Sequence, residues 1–206
     1  MKSPLRLLAE VPICAFRPYE SREYQDTYPF PPPSSVYGML LSLCGVPREE
    51  KSRHRGAIMA LALESRPGTS KVFRKLRRGK ELGDLRPDYQ DILVGLMLWI
   101  WLGDGREQVS PTLRQLVDEG LAAPHRIRRS GGLSLGESSY LVDTLVLNRA
   151  PPNELVFLKP DRAGFYSLPV WIDHVANTNI RHRFNLERVP VEEGLKTCWF
   201  HIGEAP

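Results

Sequence analysis

Apolar residues fall along the chain in short blocks, and the spacing within a block changes from one to the next. Leu5 to Phe16 is apolar and β-branched in places and ends at Arg17-Pro18, so it predicts a first strand. Tyr19 to Pro33, dense in aromatics and prolines, predicts a loop. Ser34 stands where a helix N-cap belongs. Val36, Leu40 and Leu43 then recur at helical spacing until Gly45 and Pro47 stop the helix. Ala57 to Leu63 is a second strand. Lys71 to Lys80, with Gly79 and Gly83 as turn signals, predicts a hairpin. Ile92 to Leu102, with Gly95 inside it and Trp99-Ile100-Trp101 near its end, reads as one extended strand or a buried strand pair rather than a helix. As a strand it puts Trp99 and Trp101 on one face, in the core.

Ser110-Pro111 predicts the start of a second helix, with Leu113, Leu116, Val117 and Leu121 as its apolar stripe. A glycine-rich stretch, residues 130–136, separates this helix from a strand over Tyr140 to Leu147. Beyond Pro151 come shorter strand-like pieces: Glu154 to Leu158, Tyr166 to Ile172 and Val189 to Val191. The succession strand, helix, strands, helix, strand predicts an α+β, ferredoxin-like β-α-β-β-α-β domain over residues 1–150. Into it a basic β-hairpin is inserted near 70–90, and a small β-rich region follows over 151–206. RNA-binding modules of the RRM type share that topology, as do many enzymes.

Composition narrows the partner. Ordinary apolar and charged contents in 206 residues describe a globular chain, large enough for one real core. The formal net charge is only +4, but Lys71, Arg74, Lys75, Arg77, Arg78 and Lys80 stand together with no acid among them. Without those six, the 24 acidic residues outnumber what remains of the 28 basic ones, so the positive charge is focused. A focused basic segment on a folded domain points to a polyanion. Cys14, Cys44 and Cys198 are far apart and form no metal-ligand or disulfide spacing, so no metal and no cofactor are expected. The first ten residues lack a signal-peptide core, and Ile92 to Leu102 is too short for a bilayer span, which takes about 20 residues. A cytoplasmic protein without membrane contact is the expectation.

Three segments carry candidate chemistry. Thr27-Tyr28-Pro29-Phe30-Pro31-Pro32-Pro33-Ser34-Ser35-Val36-Tyr37-Gly38 delivers a preset backbone into a helix N-terminus, with Ser34, Ser35 and Tyr37 as hydroxyl donors. On physical grounds alone this is a rigid turn that starts a helix. The basic stretch offers Lys71, Arg74, Lys75, Arg77, Arg78 and Lys80 to phosphates, although charge runs are usually solvated faces. His125-Arg126-Ile127-Arg128-Arg129 runs into Gly131-Gly132, which suits either an anion nest flanked by Arg126, Arg128 and Arg129 or a loop that needs positive φ. Of the aromatics Phe16, Tyr19, Tyr24, Tyr28, Phe30 and Tyr37, two or three are expected in the core and at most two on RNA.

The Pro-rich segment resembles the signature that follows the first strand in the Cas five family, the RAMP-type subunit of type I CRISPR Cascade complexes. Arg129 to Ser138 is similar to that family's glycine-rich motif, and Arg86-Pro87-Asp88-Tyr89-Gln90-Asp91-Ile92-Leu93 to the segment after its hairpin. The matches keep their order over residues 5–148, with wording nearest a type I-B-like branch. The resemblance implies a non-catalytic subunit that binds the 5′ handle of the guide RNA (crRNA), with the hairpin as a projecting thumb. It also implies a cap on the filament of backbone Cas seven subunits, docking of the large Cas eight subunit, and contact with target DNA only through the complex. Arg17 joins the segments above as a candidate RNA contact. The rival functions are a metal-independent endoribonuclease that processes precursor crRNA and a free-standing RRM-like protein. One branch of the family cuts RNA with a tyrosine, a lysine and a histidine. Here Tyr37 with His54 or His125 has no spacing that would assemble such a site.

Overall fold

The computed structural model describes residues 3–18, 21, 24–77, 85–129 and 131–204, with backbone only at 74–77 and 85–87. In chain order the elements are β1 (Leu5–Cys14), β2 (Tyr24–Gln25), α1 (Pro33–Leu43), a 3-10 helix (Arg48–His54), β3 (Ile58–Leu63), β4 (Gly68–Arg77) and β5 (Leu85–Leu102). Then come α2 (Leu113–Ala122), a short 3-10 turn (Pro124–Arg126), β6 (Thr144–Leu147), β7 (Glu154–Pro160), β8 (Tyr166–Asp173), β9 (Thr178–Pro190), α3 (Val191–Thr197) and β10 (Phe200–His201). The strands form one large sheet in the order β6-β1-β5-β3-β7-β9-β8, with antiparallel neighbours along that path. Mixed α and β structure on this sheet agrees with the expected class.

The sheet is buried on both faces, and alternation along each strand says how. Leu7, Ala9 and Val11 of β1, Met59, Leu61 and Leu63 of β3 and Leu96, Leu98, Ile100 and Leu102 of β5 join one core with α1 and α2. Leu8, Ala60, Ala62, Trp99, Trp101, Leu155 and Phe157 form a second core on the opposite face, where Val191 and Leu195 of α3 pack. The register pairs Ala60 with Trp101 and Ala62 with Trp99, so small residues make room for large ones. The two indoles stack with centroids 6.1 Å apart, and Phe157 continues the stack 5.5 Å from Trp101. Trp99 and Trp101 are core, as their shared face predicts.

β5 takes different partners along its 18 residues. Its second half pairs with β1 and β3, and its first half with β4, from Gly68 opposite Val94 to Arg77 opposite Leu85. Gly95 sits at the changeover with φ +70°, opposite Pro12 in the β1 register, and Pro12 has no N–H to pair. Beyond this point the buried phase changes on both strands. Cys14 and Leu93 enter the core that Val11 and Leu96 belong to, while Ile13 and Val94 are exposed.

Several boundaries differ from expectation. Pro32, not Ser34, occupies the N-cap of α1, and no side chain caps it, because the proline ring carries no hydrogen-bond acceptor. Helix α2 begins after a cis Ser110-Pro111 bond, with Thr112 as N-cap in a reciprocal capping box with Gln115. The expected strand from Tyr140 shrinks to β6, preceded by a lone bridge between Leu141 and Ser134. Val189 to Val191 is not a separate strand. It is the end of the 13-residue β9, whose mixed burial hides it from a period-two search, and the start of α3. The stretch from 151 on continues the same sheet, because β7 pairs with β3. The cysteines are free, and burial pushes the Cys14 thiol up to about 12.

Two glycine substitutions should move stability in opposite directions. Gly95→Ala should cost about 1–2 kcal/mol, because no neighbour lies within 4 Å of the added Cβ and only the left-handed backbone resists it. Gly38→Ala, in the open middle of α1, should stabilise by about 0.5–1 kcal/mol. Urea unfolding of both variants measures the difference. Equal effects would mean that the Gly95 conformation is not required.

Candidate nucleic-acid interface

A cavity of about 640 Å³ opens between α1, the 3-10 helix at 48–54, the loop after α2 and the end of β8. Each wall has a local cause. Pro33 at the first helical position starts α1 so that Ser34 and Tyr37 line the opening. Gly45 ends that helix at φ +70°, and a Cβ there would lie 2.8 Å from the Arg128 carbonyl. Only glycine lets the Arg128–Arg129 backbone come this close to the helix end. Arg48 and Lys51 enter from the 3-10 helix, and Trp171 and His174 from β8 and the turn beyond it.

The floor is aromatic. The Tyr37 and Trp171 rings lie 6.0 Å apart, tilted by 44°. Lys51 ties three elements together. Its carbonyl accepts from the Tyr37 hydroxyl, its ammonium donates to the Ile172 carbonyl, and that ammonium lies 4.9 Å from the centre of the Trp171 ring. The Arg55 guanidinium lies 5.6 Å from the same ring. Ser34 Oγ is buried and has no hydrogen-bond partner.

Electrostatics follow from this crowding. Burial, then Glu107, push the Tyr37 hydroxyl well above the ordinary phenol range. Burial lowers the Lys51 ammonium, Asp173 opposes that, and Arg48 adds to it. Burial, then Arg48 and Lys51, lower His174. Asp173 is held down first by the Ala176 and Val175 N–H groups, which donate to its carboxylate at 3.0 and 2.9 Å. The result is a mainly cationic recess with an aromatic floor and an unpaired, buried hydroxyl in its wall. A phosphate beside a flat ring system fits that chemistry.

Of the residues singled out in the sequence, Ser34, Tyr37, Arg128 and Arg129 meet here. Ser35 lies in the first turn of α1, half-buried, and does not line the cavity. Arg17 is exposed and donates to the Ser21 carbonyl at 2.6 Å. Lys71 is exposed on β4. Arg74, Lys75 and Arg77 lie on the same strand, and Arg78 and Lys80 fall outside the described residues. Arg126 is exposed in its short 3-10 turn, and Gly131 follows with φ +76° and open surroundings, while Gly132 faces Leu141. Phe16, Phe30 and Tyr37 are buried, Tyr28 is half-buried and Tyr24 exposed, and Tyr19 falls outside the described residues. Arg48, Lys51, Trp171 and His174 were not anticipated. No local motif marks them, and only the packing of β8 against α1 brings them in.

The histidines considered for chemistry are placed otherwise. His54 Nδ1 lies 2.8 Å from Glu107 Oε1, both side chains are buried, and that oxygen also accepts from the Leu113 N–H at 2.7 Å. His54 therefore fastens the 3-10 helix to the start of α2. His125 is exposed in the turn after α2.

The fold is one known from Cas proteins. A chain of a solved CRISPR RNA-guided surveillance complex superposes with a TM-score of 0.65 over 92% of both chains at 14% identity. A Cas protein crystal structure superposes with a TM-score of 0.52 at 17% identity, over 92% of this chain and 96% of its own. No family model matches the sequence. The CRISPR-associated protein Cas5 of Myxococcus xanthus (strain DK1622) is 31% identical over 215 residues, 92% of this chain and 99% of its own length. The chain belongs to the Cas5 family of CRISPR-associated proteins. Among the described residues no helix is long and apolar enough to cross a membrane.

Lys51→Ala removes a charged hydrogen bond and a cation–π contact, and should lower stability by about 1–3 kcal/mol in urea unfolding. Arg129→Ala, at an exposed position, should stay within about 0.5 kcal/mol of wild type. A Lys51 variant as stable as wild type would contradict its bridging role.

Proposed function

We propose that this chain is a non-catalytic RNA-binding subunit of a type I CRISPR Cascade complex, seated on the 5′ handle of the crRNA. The observation that carries the proposal is the cavity, where Arg128, Arg129, Arg48 and Lys51 surround the Tyr37–Trp171 floor. Arginines pair with phosphates in two-pronged fashion, and aromatic floors accept unstacked bases. In this reading the β4–β5 ladder, whose strand β4 carries Arg74, Lys75 and Arg77, is the thumb that meets the same RNA. The order β6-β1-β5-β3 supports a ferredoxin-like core, with these strands as fourth, first, third and second. The subunit caps the filament of backbone Cas seven subunits, docks the large Cas eight subunit, and meets target DNA only through the complex.

One observation favours the rival, cleavage of precursor RNA, because the cavity gathers a tyrosine, a lysine and a histidine in Tyr37, Lys51 and His174. The bonding within it favours binding. The Tyr37 hydroxyl donates to a carbonyl and its pKa is raised, so it is a poor base at neutral pH. The Lys51 ammonium is anchored to the Ile172 carbonyl and over the Trp171 ring, a structural placement.

The test uses the chain coexpressed with its backbone subunit and a handle-bearing RNA. Arg128→Ala with Arg129→Ala should weaken binding and reduce the salt slope by about 1.4, since each phosphate contact on a single strand contributes about 0.7. RNA incubated with the wild-type protein in chelator should keep its length. Unchanged affinity and slope would remove the cavity from the interface. Specific cleavage abolished by Tyr37→Phe would contradict the non-catalytic reading.

A further inference from the structure

A second surface lies outside that cavity, where β2 and β4 flank β5. Phe73 of β4 stands opposite Tyr89 of β5, and Tyr89 is in turn the ladder partner of Tyr24 of β2. Residues opposite one another in a ladder project to the same face, so the three rings form a row across three adjacent strands. Tyr24, Phe73 and Tyr89 are 43%, 51% and 48% exposed. A row of large aromatics exposed together on adjacent strands is unusual, because folding alone favours their burial. The Phe73 and Tyr89 rings already touch, with centroids 5.2 Å apart and a tilt of 56°.

The surroundings are polar and partly cationic. The Lys71 ammonium lies 5.0 Å from the centre of the Tyr24 ring, and the Tyr24 hydroxyl donates to Asp91 Oδ1 at 3.1 Å. The hydrogen bond to Tyr24 is the main cause that raises the Lys71 pKa, so the ammonium stays charged beside the rings. Asp88 and Gln90, which alternate with Tyr89 along β5, are buried, and Gln25 Nε2 donates to Asp88 Oδ2 at 2.6 Å. This bond across β2 and β5 pins the backbone that carries the rings. Along β4 the sequence continues from Phe73 into Arg74, Lys75 and Arg77.

We infer that Tyr24, Tyr89 and Phe73 form a stacking platform for unpaired bases of single-stranded RNA, with the Lys71 ammonium beside them for an adjoining phosphate. Neighbouring strands are about 4.8 Å apart, so three rings span about 10 Å, the reach of two or three bases. A protein partner would bury the same rings. The cation beside Tyr24 and the run of basic residues along β4 favour a polyanion with flat faces. The inference rests on the proposal that the chain binds RNA, and it assigns to RNA a face separate from the cavity.

The experiment measures binding of a handle-bearing single-stranded RNA, with 2-aminopurine at successive positions, to the full chain coexpressed with its backbone subunit. Phe73→Leu with Tyr89→Leu keeps an apolar strand face but removes two rings. It should weaken binding at least about fivefold and abolish the 2-aminopurine quenching at one or two positions, with the salt slope unchanged. Phe73→Tyr with Tyr89→Phe keeps the rings and should keep both affinity and quenching. Wild-type affinity and quenching in the leucine variant would overturn the platform while leaving the cavity reading intact. Loss of the backbone subunit from the leucine variant, with RNA affinity unchanged, would also overturn it and assign the face to a protein contact. Absence of RNA binding by the wild-type protein would overturn both readings together.

Discussion

The architecture depends on one long strand that changes its partners along its length. The buried backbone groups of β5 need partners, and the strand is too long for any single neighbour to supply them. One half is satisfied inside the domain by β1 and β3. The other half is satisfied by β4 and the short β2, beyond the reach of the helices that cover the core. Gly95 opposite Pro12 lets the buried phase change where the partners change. A ladder of β4 with β5 thus extends directly from the core, and its strands carry basic and aromatic residues that the core does not require.

The cavity depends on a different consequence of the same sheet. Because β7 adds to β3 and β9 and β8 follow, the C-terminal strands bring Trp171 beside α1. Lys51 then fixes the aromatic floor by bonding to β8 and to α1 at once. Arg128 and Arg129 are held at the rim because Gly45 allows close backbone approach. The 3-10 helix and the loop after α2, far apart in sequence, thereby present positive charge around one aromatic surface. Such an arrangement suits recognition of a phosphate chain whose bases are unstacked.

Much of the first 150 residues was legible in the sequence, because local periodicity and packing agree there. β1, α1 and β3 appear as expected, as do Leu113, Val117 and Leu121 of the α2 stripe, whereas the expected hairpin is described only as the ladder of β4 with β5, its turn signals Gly79 and Gly83 lying outside the described residues. Where they part, a local rule lost to a neighbouring one. Ser34 yielded the cap of α1 to proline geometry, and Thr112 took the cap of α2 because its box with Gln115 satisfies two donors. β9 was hidden by its mixed burial. Half of the candidate site was legible too: Ser34, Tyr37 and Arg129 stand in motifs that resemble the family, and Arg128 in the basic run that leads into one of them. Arg48, Lys51, Trp171 and His174 were not, since their role comes from long-range packing that no spacing encodes. The aromatic row was also out of reach, because Tyr24, Phe73 and Tyr89 become neighbours only through strand register.

The central claim is that this chain holds the 5′ handle of the guide RNA, and photocrosslinking of the assembled ribonucleoprotein tests it most directly. 4-Thiouridine is placed singly along the RNA, and the joined peptides are identified by mass spectrometry. The account predicts that handle positions join this chain, at peptides containing Arg128–Arg129 and Trp171–His174. Handle positions that join only other subunits, or crosslinks to this chain from the opposite end of the RNA alone, would contradict it.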